Sequence, residues 1–558
     1  MVDRSKRMRL GDLLQERGIV SAAQLDIALL EQRRAYRPLG AILISLGFVQ
    51  QRELAQLLSE QMGIPLIDRG SLAPDPLVLA AVDLAFVRET GALPIGMQGD
   101  VLQVAMVDPL DLPKVALVRE RFPMPLAFAA ITEDDLFELA REYLATAPSR
   151  VAEILGAAEL GRDELQGTPI EALSAALIED GIRRGATDVH IEPEENVARV
   201  RYRIDGMLQP GESLPRALTD AVLSRIKILA RLDISERRRP QDGRMRIEVD
   251  RQRYELRVSS RPVADGENLV LRVLDRSSGS KPLENLGFAA DVAAALQTVA
   301  QRPHGLFLVT GPTGSGKSTT LYSLLGRVDA MHRNVATIED PIEYRMPLVR
   351  QSQVDNAVGF GFQEGLRALL RQDPDVILVG EVRDAETASM AVRASMTGHL
   401  VLTTLHTNDA IGAIPRLCDL GVEPYLLEDS LIGVLAQRLV RRLCSGCSVP
   451  GEPTHEEALW LGPVSVGLRR ARGCPRCNES GYSGRIAMSE LFLPDDTMEH
   501  ALREGTDLPS LRRLAAASGF RGIEHDGRRL VGAGLTSREE VERTCRSHRF
   551  TRAERTAA

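Results

Sequence analysis

Residues 311–318 read GPTGSGKS and fit the pattern GxxxxGK[ST], in which a glycine-rich backbone cradles phosphate. The apolar run LFLVT at 306–310 precedes them, and a helix-compatible stretch follows at 319–328. These flanks supply the strand and helix that the motif requires, so backbone N–H groups and the start of the helix would face an anion. Lys317 would neutralise phosphate charge and Ser318 would offer an oxygen to Mg²⁺. The chain is therefore predicted to bind a nucleoside triphosphate.

Acidic side chains follow two of the apolar runs after this loop. The cluster IEDPIE contains Glu339, Asp340 and Glu343, and Glu381 follows the run VILVG. The runs LFLVT, VATIE, VILVG and LVLTT alternate with helix-compatible segments, which indicates βαβ units on a largely parallel sheet. Because the carboxyl ends of such strands share one edge, one carboxylate could hold the water shell of a metal while another orients the attacking water. His406, after LVLTT, would lie toward the same edge.

Composition argues against two classes of protein. The chain has 69 basic and 77 acidic residues, a net charge of −8, which disfavours a protein held on nucleic acid by net charge. No stretch approaches the roughly 20 apolar residues of a membrane helix, and residues 1–9 lack the apolar core of a secretion signal. We therefore expect a cytoplasmic protein without a nucleic-acid partner, divided into three to four domains over its 558 residues.

Four of the six cysteines form two CxxC pairs separated by 26 residues: Cys444, Cys447, Cys474 and Cys477. Four thiolates complete a tetrahedral Zn²⁺ site, and such a closed site is structural because no position stays open for a substrate. The spacing predicts a zinc site in a reducing compartment. The remaining Cys418 and Cys545 are expected to be buried, inert thiols.

The N-terminal region contains an internal repeat. An offset of 29 residues aligns 9–32 with 38–61, and nine of the 24 positions are identical, including two glycines. Each copy has the pattern of a short helix, a glycine turn and a second helix. Farther along, 93–107 has strand patterning and 133–144 is helical, whereas 145–168 is weakly patterned and indicates a linker.

Four motifs, in order, resemble the Walker A, Asp, Walker B and His boxes of the secretion ATPases that power type II secretion and type IV pilus assembly. They are GPTGSGKST at 311–319, ATIEDPIE at 336–343, LRALLRQDPDVILVGEVRD at 366–384 and TGHLVLTTLHTNDA at 397–410. The similarity continues in GATDVHIEP at 185–193, RPQDGR at 239–244 and GCPRCNESGYSGR at 473–485. It covers about residues 169–550 and includes the zinc-binding insert of the family.

The resemblance assigns roles to individual residues. Glu381 would be the Walker B acid, Glu343 the Asp-box glutamate that activates water, and His399 and His406 the His-box histidines. The residues implied for ATP and Mg²⁺ binding are Gly311, Pro312, Thr313, Gly314, Ser315, Gly316, Lys317, Ser318 and Thr319.

The resemblance also implies a homo-hexamer that docks on inner-membrane platform proteins, at the inner face of the bacterial inner membrane. Between positions 231 and 261 there are ten arginines against six acids. A solvated basic face is one interpretation. In a hexameric ATPase such arginines can also reach the γ-phosphate of the neighbouring subunit, and Arg244 and Arg257 are our candidates for this role.

The N-terminal repeat resembles the paired 24-residue motif of the domain that binds cyclic di-GMP in some members of the family. The residues that match this motif are Arg9, Leu10, Gly11, Gln32, Leu39, Gly40 and Gln61. Pro38 replaces the arginine that opens the second copy, while Gln15 and Phe48 replace aliphatic residues. A cyclic di-GMP site and a purely helical docking module are both open interpretations. The region 93–143 resembles the docking domain of the family.

Together these patterns predict an α/β fold, with a RecA-like phosphate-loop ATPase core, a preceding PAS-like α+β domain, a helical repeat region and a small zinc-binding insert. The predicted segments are a helical repeat at 1–68, a docking domain at 69–150, a linker at 151–168, an Arg-rich α+β domain at 169–275, a hinge at 276–285, the ATPase core at 286–437, the zinc subdomain at 438–490 and a helical C-terminal region at 491–558.

The expected function is that of a cytoplasmic hexameric ATPase that powers pseudopilus assembly in type II secretion or assembly of a type IV pilus. Two other classes stay open. A nucleic-acid translocase with a RecA-like core predicts hydrolysis stimulated by DNA, which the net charge does not favour. A cyclic di-GMP sensor without turnover is disfavoured by the intact Lys317, Ser318 and Glu381.

Overall fold

A computed structural model describes residues 10–35, 38–68, 72, 74–79, 81–144, 150–159, 169–250, 252–274, 281–462, 467–474 and 477–545. The chain divides into two compact units. The first comprises Met1–Ser277 with Pro475–Asn478, and the second comprises Ser278–Cys474 with Glu479–Ala558.

Four helices form the N-terminal repeat, namely α1 (Leu10–Glu16), α2 (Ala22–Ala35), α3 (Leu39–Ser45) and α4 (Gln51–Met62). The two copies bury a shared apolar core that includes Leu14 and Leu43. The repeated glycines bring the helices close together, since a Cβ atom on Gly40 would lie 2.7 Å from the Leu54 side chain. The predicted helix–turn–helix pairs are confirmed.

A small α/β domain follows, with α5 (Pro76–Leu79), α6 (Leu84–Thr90), β1 (Ala92–Gln98), β2 (Val101–Met106), α7 (Leu112–Arg121), β3 (Leu126–Ala130) and α8 (Glu133–Leu144). Strands β1 and β2 are antiparallel, and β2 and β3 are parallel. The predicted linker at 151–168 is wrong in its first part, because α9 spans Arg150–Glu159. Val151, Ile154 and Leu155 lie on one face of this helix and pack on the core of the next domain. Residues 160–168 lie outside the described part of the chain.

The Arg-rich domain contains α10 (Ile170–Arg183), β4 (Asp188–Pro193), β5 (Val197–Ile204), β6 (Met207–Pro210), β7 (Leu214–Pro215), α11 (Arg216–Leu229), β8 (Gln241–Val249), β9 (Gln252–Val263) and β10 (Gly266–Leu274). Its antiparallel sheet has the order β6-β5-β4-β10-β9-β8, with β7 paired to β5. Apolar side chains of α10 and α11 cover one face of the sheet around the fully buried Tyr202.

The second unit begins with a 3₁₀ helix, Leu283–Leu286, which starts inside the predicted hinge at 276–285. Residues 276–280 of that hinge lie outside the described residues. Its core elements are α12 (Ala290–Gln301), β11 (Gly305–Thr310), α13 (Lys317–Leu325), β12 (Val335–Glu339), β13 (Arg350–Gln353), α14 (Phe362–Leu369), β14 (Val376–Val379), α15 (Ala385–Met396), β15 (Leu400–Leu405), α16 (Ala413–Asp419), α17 (Pro424–Ser430) and β16 (Leu431–Leu443). The elements that follow are β17 (Val449–Pro450), α18 (His455–Leu461), β18 (Arg469–Arg470), β19 (Tyr482–Phe492), α19 (Asp496–Arg503), α20 (Leu508–Ala517), α21 (Ile523–Gly532) and α22 (Arg538–Cys545).

The sheet of this unit has the order β13-β12-β14-β15-β11-β16-β19. All neighbouring strands are parallel except β16 and β19. Strands β11, β12, β14 and β15 are buried along their whole length, because helices cover both faces of the sheet. The predicted parallel α/β core is confirmed.

The predicted zinc subdomain at 438–490 is too wide. Strands β16 and β19 form one antiparallel ladder in the core sheet, from the pair Val434 and Phe492 to the pair Leu443 and Tyr482. The cysteine-bearing segment is therefore an insertion at 444–481. Arginines interrupt the apolar pattern of β16. The strand continues because their side chains have bonding partners, as in the ion pair between Arg441 and Glu540 of α22.

The Glu540 carboxylate is expected to stabilise this end of the second unit in a pH-dependent manner. It is 3% exposed and accepts hydrogen bonds from Arg441 and Arg543. Burial disfavours its charge, but the two guanidinium groups outweigh burial and lower the pKa of Glu540 to about 2. Because the folded pKa is depressed, the contribution is complete above the unfolded pKa of about 4.3 and is lost as pH falls toward 2.

We expect Glu540→Gln to lower the free energy of unfolding by about 2–3 kcal/mol at pH 7, and by less than half of that at pH 3. Denaturant unfolding of the full chain at both pH values measures this. The matched control is Glu542→Gln, since Glu542 is 39% exposed in its pair with Arg538. A loss of equal size at both pH values would contradict the assignment.

Candidate nucleotide and metal sites

The glycine-rich loop connects β11 to α13 as the motif predicts. Gly311, Gly314 and Gly316 have φ angles of 145°, 78° and 89°, which favour glycine over every other residue. A Cβ atom on Gly311 would lie 2.3 Å from the Gln437 carbonyl oxygen, so the close approach also requires glycine. The loop therefore has the backbone that a phosphate cradle needs.

The Lys317 side chain lies within this loop. Its Nζ donates to the carbonyl oxygens of Gly311, at 2.8 Å, and Pro312, at 3.1 Å. Burial lowers the pKa of the ammonium, and the charge of Glu381 opposes that shift. A partly desolvated cation at the start of a helix is a suitable partner for a phosphate group, which fits the predicted role. Ser318 follows in the first turn of α13.

Gln437 of β16 supports the loop and was missed by sequence reasoning. Its Nε2 donates to the Ser315 carbonyl oxygen at 2.8 Å, and its Oε1 accepts from the Thr320 hydroxyl at 2.7 Å. The side chain is only 2% exposed. The signal available in the sequence was the amide side chain of Gln437 within the apolar strand LIGVLAQRLV. No local pattern, however, indicates that β16 pairs with β11.

Glu381 and His406 meet at the carboxyl edge of the sheet. The His406 Nε2 lies 3.5 Å from a Glu381 carboxylate oxygen, and Arg383 pairs with the other oxygen at 2.6 Å. The Glu381 side chain is 13% exposed. The structure thus brings Glu381 and His406 together, near enough to Lys317 for the charge of Glu381 to influence its pKa.

The two glutamates around β12 have different environments. Glu339, at the end of the strand, is 4% exposed, and its carboxylate accepts hydrogen bonds from Tyr322, Thr337 and Gln351. Burial raises its pKa despite these bonds. Glu343 lies in the following loop, is half-buried, and donates its backbone N–H to the Tyr322 hydroxyl at 3.2 Å.

His399 is not brought to this edge. It directly precedes β15, and its Nδ1 lies 2.9 Å from the Ala394 carbonyl oxygen. His406 follows the same strand, so the two histidines are separated by six strand residues, or about 20 Å. The two predicted His-box histidines therefore lie at opposite ends of one strand within a single chain.

Arg244 and Arg257 lie directly opposite each other on β8 and β9 of the first unit. Both line a cavity of about 500 Å³, together with Asp188, Asp242 and Arg272. The Arg272 guanidinium bonds to Asp188 at 2.9 Å. The two candidate arginines thus share one concave surface of the Arg-rich domain.

The sulfur atoms of Cys444, Cys447, Cys474 and Cys477 all lie within 4.8 Å of one another. Zinc–sulfur bonds of about 2.3 Å in a tetrahedron place sulfurs about 3.8 Å apart, and the Cys444 and Cys474 sulfurs are separated by 4.0 Å. The donor set therefore fits Zn²⁺ as predicted.

The two other cysteines lie outside this cluster. Cys418 and Cys545 are half-buried rather than buried. Burial raises the pKa of both thiols, that of Cys545 to about 11, which keeps them protonated and unreactive at neutral pH.

The predicted cyclic di-GMP residues come together only in part. Leu10 approaches Gly40 and Leu39 approaches Gly11, each within about 4 Å of where a glycine Cβ would be. The glycines are buried between helices and thus serve packing. The other described members of the set are half-buried, namely Gln32 and Gln61. Arg9 lies outside the described residues.

Known proteins place this fold and site in context. Residues 163–543 match the type II/IV secretion system protein family, and residues 62–150 match the MshEN domain. The Pseudomonas aeruginosa type II secretion system protein HxcR is 45% identical over 77% of this chain and 92% of its own length. The Myxococcus xanthus type IV pilus assembly ATPase PilB is 36% identical over 97% of this chain and 100% of its own length.

The solved structure of the Legionella pneumophila ATPase DotB shares the fold, with a TM-score of 0.51 at 22% identity over 68% of this chain and 96% of DotB. None of the described helices is long and apolar enough to span a membrane. The predicted family is confirmed by a match that covers 163–543 and by relatives aligned along nearly the whole chain. The chain belongs to the type II/IV secretion system protein family and is a secretion ATPase.

Proposed function

We propose that this chain is a homo-hexameric motor that hydrolyses ATP at the cytoplasmic face of the inner membrane and drives pseudopilus or pilus assembly against inner-membrane platform proteins. The observation that carries the proposal is the meeting of Glu381 and His406 beside the Lys317 loop. It occurs in a chain whose relatives are named as type II secretion and type IV pilus assembly proteins.

In this proposal the backbone and side chains of residues 311–319 hold the ATP phosphates, with Lys317 supplying the positive charge. Ser318 and Glu381 are the oxygen donors suited to Mg²⁺ and its water ligands, and the ion would neutralise charge on the phosphates. Glu343 accepts a proton from the attacking water, and His406 holds the Glu381 carboxylate in place. His399, at the far end of β15, would act only toward a neighbouring subunit.

The paired arginines support a hexameric arrangement. Arg244 and Arg257 project from neighbouring strands into one cavity, so both could meet a single phosphate group from outside the first unit. Arginine offsets the charge that develops on the γ-phosphate during hydrolysis. We propose that these two residues complete the nucleotide site of the adjacent subunit.

Mixing two inactive variants tests this arrangement. Arg257→Ala is expected to lower kcat by about 10²-fold. Glu381→Gln is also expected to be inactive, but it keeps Arg244 and Arg257. Equimolar mixing should raise hydrolysis at least about tenfold above either variant alone, because some interfaces then join an intact nucleotide site to an intact arginine.

Arg253→Ala is the matched control for the mixing experiment, since Arg253 lies on the same strand β9 and is 90% exposed in its pair with Glu248. It should hydrolyse ATP at the wild-type rate. A mixture of Arg257→Ala and Glu381→Gln that is no faster than its components would contradict action between subunits.

Two further ligands belong to the proposal. Zn²⁺ held by the four cysteines would brace the insertion at 444–481 without taking part in hydrolysis. The repeated helices, which bring Leu10, Gly11, Leu39 and Gly40 together, support cyclic di-GMP as a regulatory ligand, with aliphatic side chains against the bases.

A further inference from the structure

Tyr322 of α13 connects the phosphate-binding helix to the loop that carries Glu343. It lies one helical turn after Ser318 and is 2% exposed. Its hydroxyl donates to the Glu339 carboxylate and accepts the backbone N–H of Glu343 at 3.2 Å. One phenol oxygen thus joins three elements: the helix, the end of β12, and the loop after it.

A second set of contacts holds the same loop. The Tyr322 and Tyr344 rings stack with centroids 4.2 Å apart and planes inclined by 31°. Gln351 of β13 donates to the Glu339 carboxylate at 3.2 Å and to the Tyr344 carbonyl oxygen at 3.1 Å. Glu339 is therefore the centre of a buried network that fixes the backbone on both sides of residue 343.

A contribution to stability alone would not explain why a buried carboxylate with several hydrogen bonds occupies this position. An ionisable carboxylate in a buried position is costly unless several hydrogen bonds satisfy it, and apolar side chains of similar size are often as stable. Glu339 is buried and its pKa is raised, yet it is satisfied by three donors. Such a network gives precise placement of the backbone that it holds, and that backbone belongs to Glu343.

We propose that Tyr322 is a positioning residue for ATP hydrolysis, whose hydroxyl, anchored on Glu339, fixes the loop of Glu343 relative to the start of the phosphate-binding helix. The inference rests on the proposed function, in which Glu343 activates water. Nucleotide binding by residues 311–319 does not itself require the hydroxyl of Tyr322. The hydroxyl should matter only when the carboxylate of Glu343 must reach the attacking water.

Tyr322→Phe removes the hydroxyl and keeps the ring. We expect kcat to fall by about 10- to 100-fold, because a displacement of about 1 Å at a reacting group has effects of this size. The Kd for a fluorescent ATP analogue should change by less than about threefold, since the phosphate loop is intact. The double variant that combines Tyr322→Phe with Glu343→Gln should have the same kcat as Glu343→Gln alone, because both substitutions act on the same step.

Tyr202→Phe is the matched control. Tyr202 is also a fully buried tyrosine, and its hydroxyl donates to the Leu177 carbonyl oxygen in the first unit. This variant makes the same chemical change outside the network of Glu339 and should keep the wild-type kcat. Gln351→Ala is the second variant, and it removes the other side chain that holds the loop. It should reproduce the selective loss in kcat, so it tests the inference even if Tyr322→Phe does not fold.

Three results would overturn the inference while leaving the proposed function standing, provided that the wild type hydrolyses ATP and Glu343→Gln is slow. The first is an unchanged kcat in Tyr322→Phe. The second is a rise in the Kd of that variant for nucleotide that is as large as its loss in kcat. The third is a kcat of the double variant Tyr322→Phe and Glu343→Gln that falls by the product of the two single losses. Absence of hydrolysis in the wild type would instead overturn the proposed function and this inference with it.

Discussion

Lys317→Ala is expected to abolish Mg²⁺-dependent ATP hydrolysis, with a loss in kcat of about 10³-fold or more. Lys317 supplies the positive charge inside the phosphate loop, where its Nζ lies 2.8 Å from the Gly311 carbonyl oxygen. No other lysine occurs in the loop at 311–319. Without this ammonium, the loop itself would offer the phosphates only backbone dipoles and no cationic side chain.

Phosphate release from ATP measures the effect on hydrolysis. Thermal unfolding should show that Lys317→Ala remains folded, because the ammonium is partly desolvated in the wild type and its removal relieves that cost. The control is Lys114→Ala, which changes a lysine that is 41% exposed in its pair with Asp111. Retention of more than about a tenth of wild-type activity in Lys317→Ala would contradict the assigned role.

Zinc removal is expected to unfold the insertion at 444–481. Purified protein should contain one Zn²⁺ per chain, and Cys444→Ser should lose it, because a closed four-sulfur site depends on all its ligands. Leu461 and Leu468 of the insertion are buried in an apolar cluster whose other buried members, such as Val440 and Met488, belong to the core sheet and to α21 and α22. Structural zinc contributes about 10 kcal/mol or more in small domains, so the loss should be large locally.

Metal analysis and limited proteolysis test this directly. Cys444→Ser should be cut rapidly within 444–481, whereas the rest of the second unit stays resistant and the phosphate loop still binds nucleotide. Cys418→Ser is the control, since Cys418 lies outside the cluster and should leave the zinc content at one. Zinc retained by Cys444→Ser, or wild-type protein purified without zinc, would contradict the site.

The parts of the fold that the sequence predicts are those with a local signal. The phosphate loop, with its flanking strand and helix, is contiguous, and so is each cysteine pair. The internal repeat likewise predicts two helix pairs, and the glycines that mark it occupy the tight packing positions around Gly11 and Gly40. In each case a short stretch of chain carries the whole pattern.

The features that the sequence does not predict depend on contacts between residues that are far apart in the chain. Gln437 and Thr320 are far apart in sequence and meet only because β16 lies beside β11. Tyr322 and Glu339 meet because the Tyr322 side chain on α13 reaches the end of β12, and Tyr322 carries no motif signal of its own.

The most direct test of the central claim is Mg²⁺-dependent ATP hydrolysis by the purified wild type beside Glu381→Gln, with and without duplex DNA and with and without cyclic di-GMP. We expect turnover in the wild type, its loss in Glu381→Gln and indifference to DNA, while a response to cyclic di-GMP would support its proposed role as a regulatory ligand. Strong stimulation by DNA would contradict the secretion motor in favour of a nucleic-acid translocase. No turnover together with tight binding of cyclic di-GMP would contradict it in favour of a sensor.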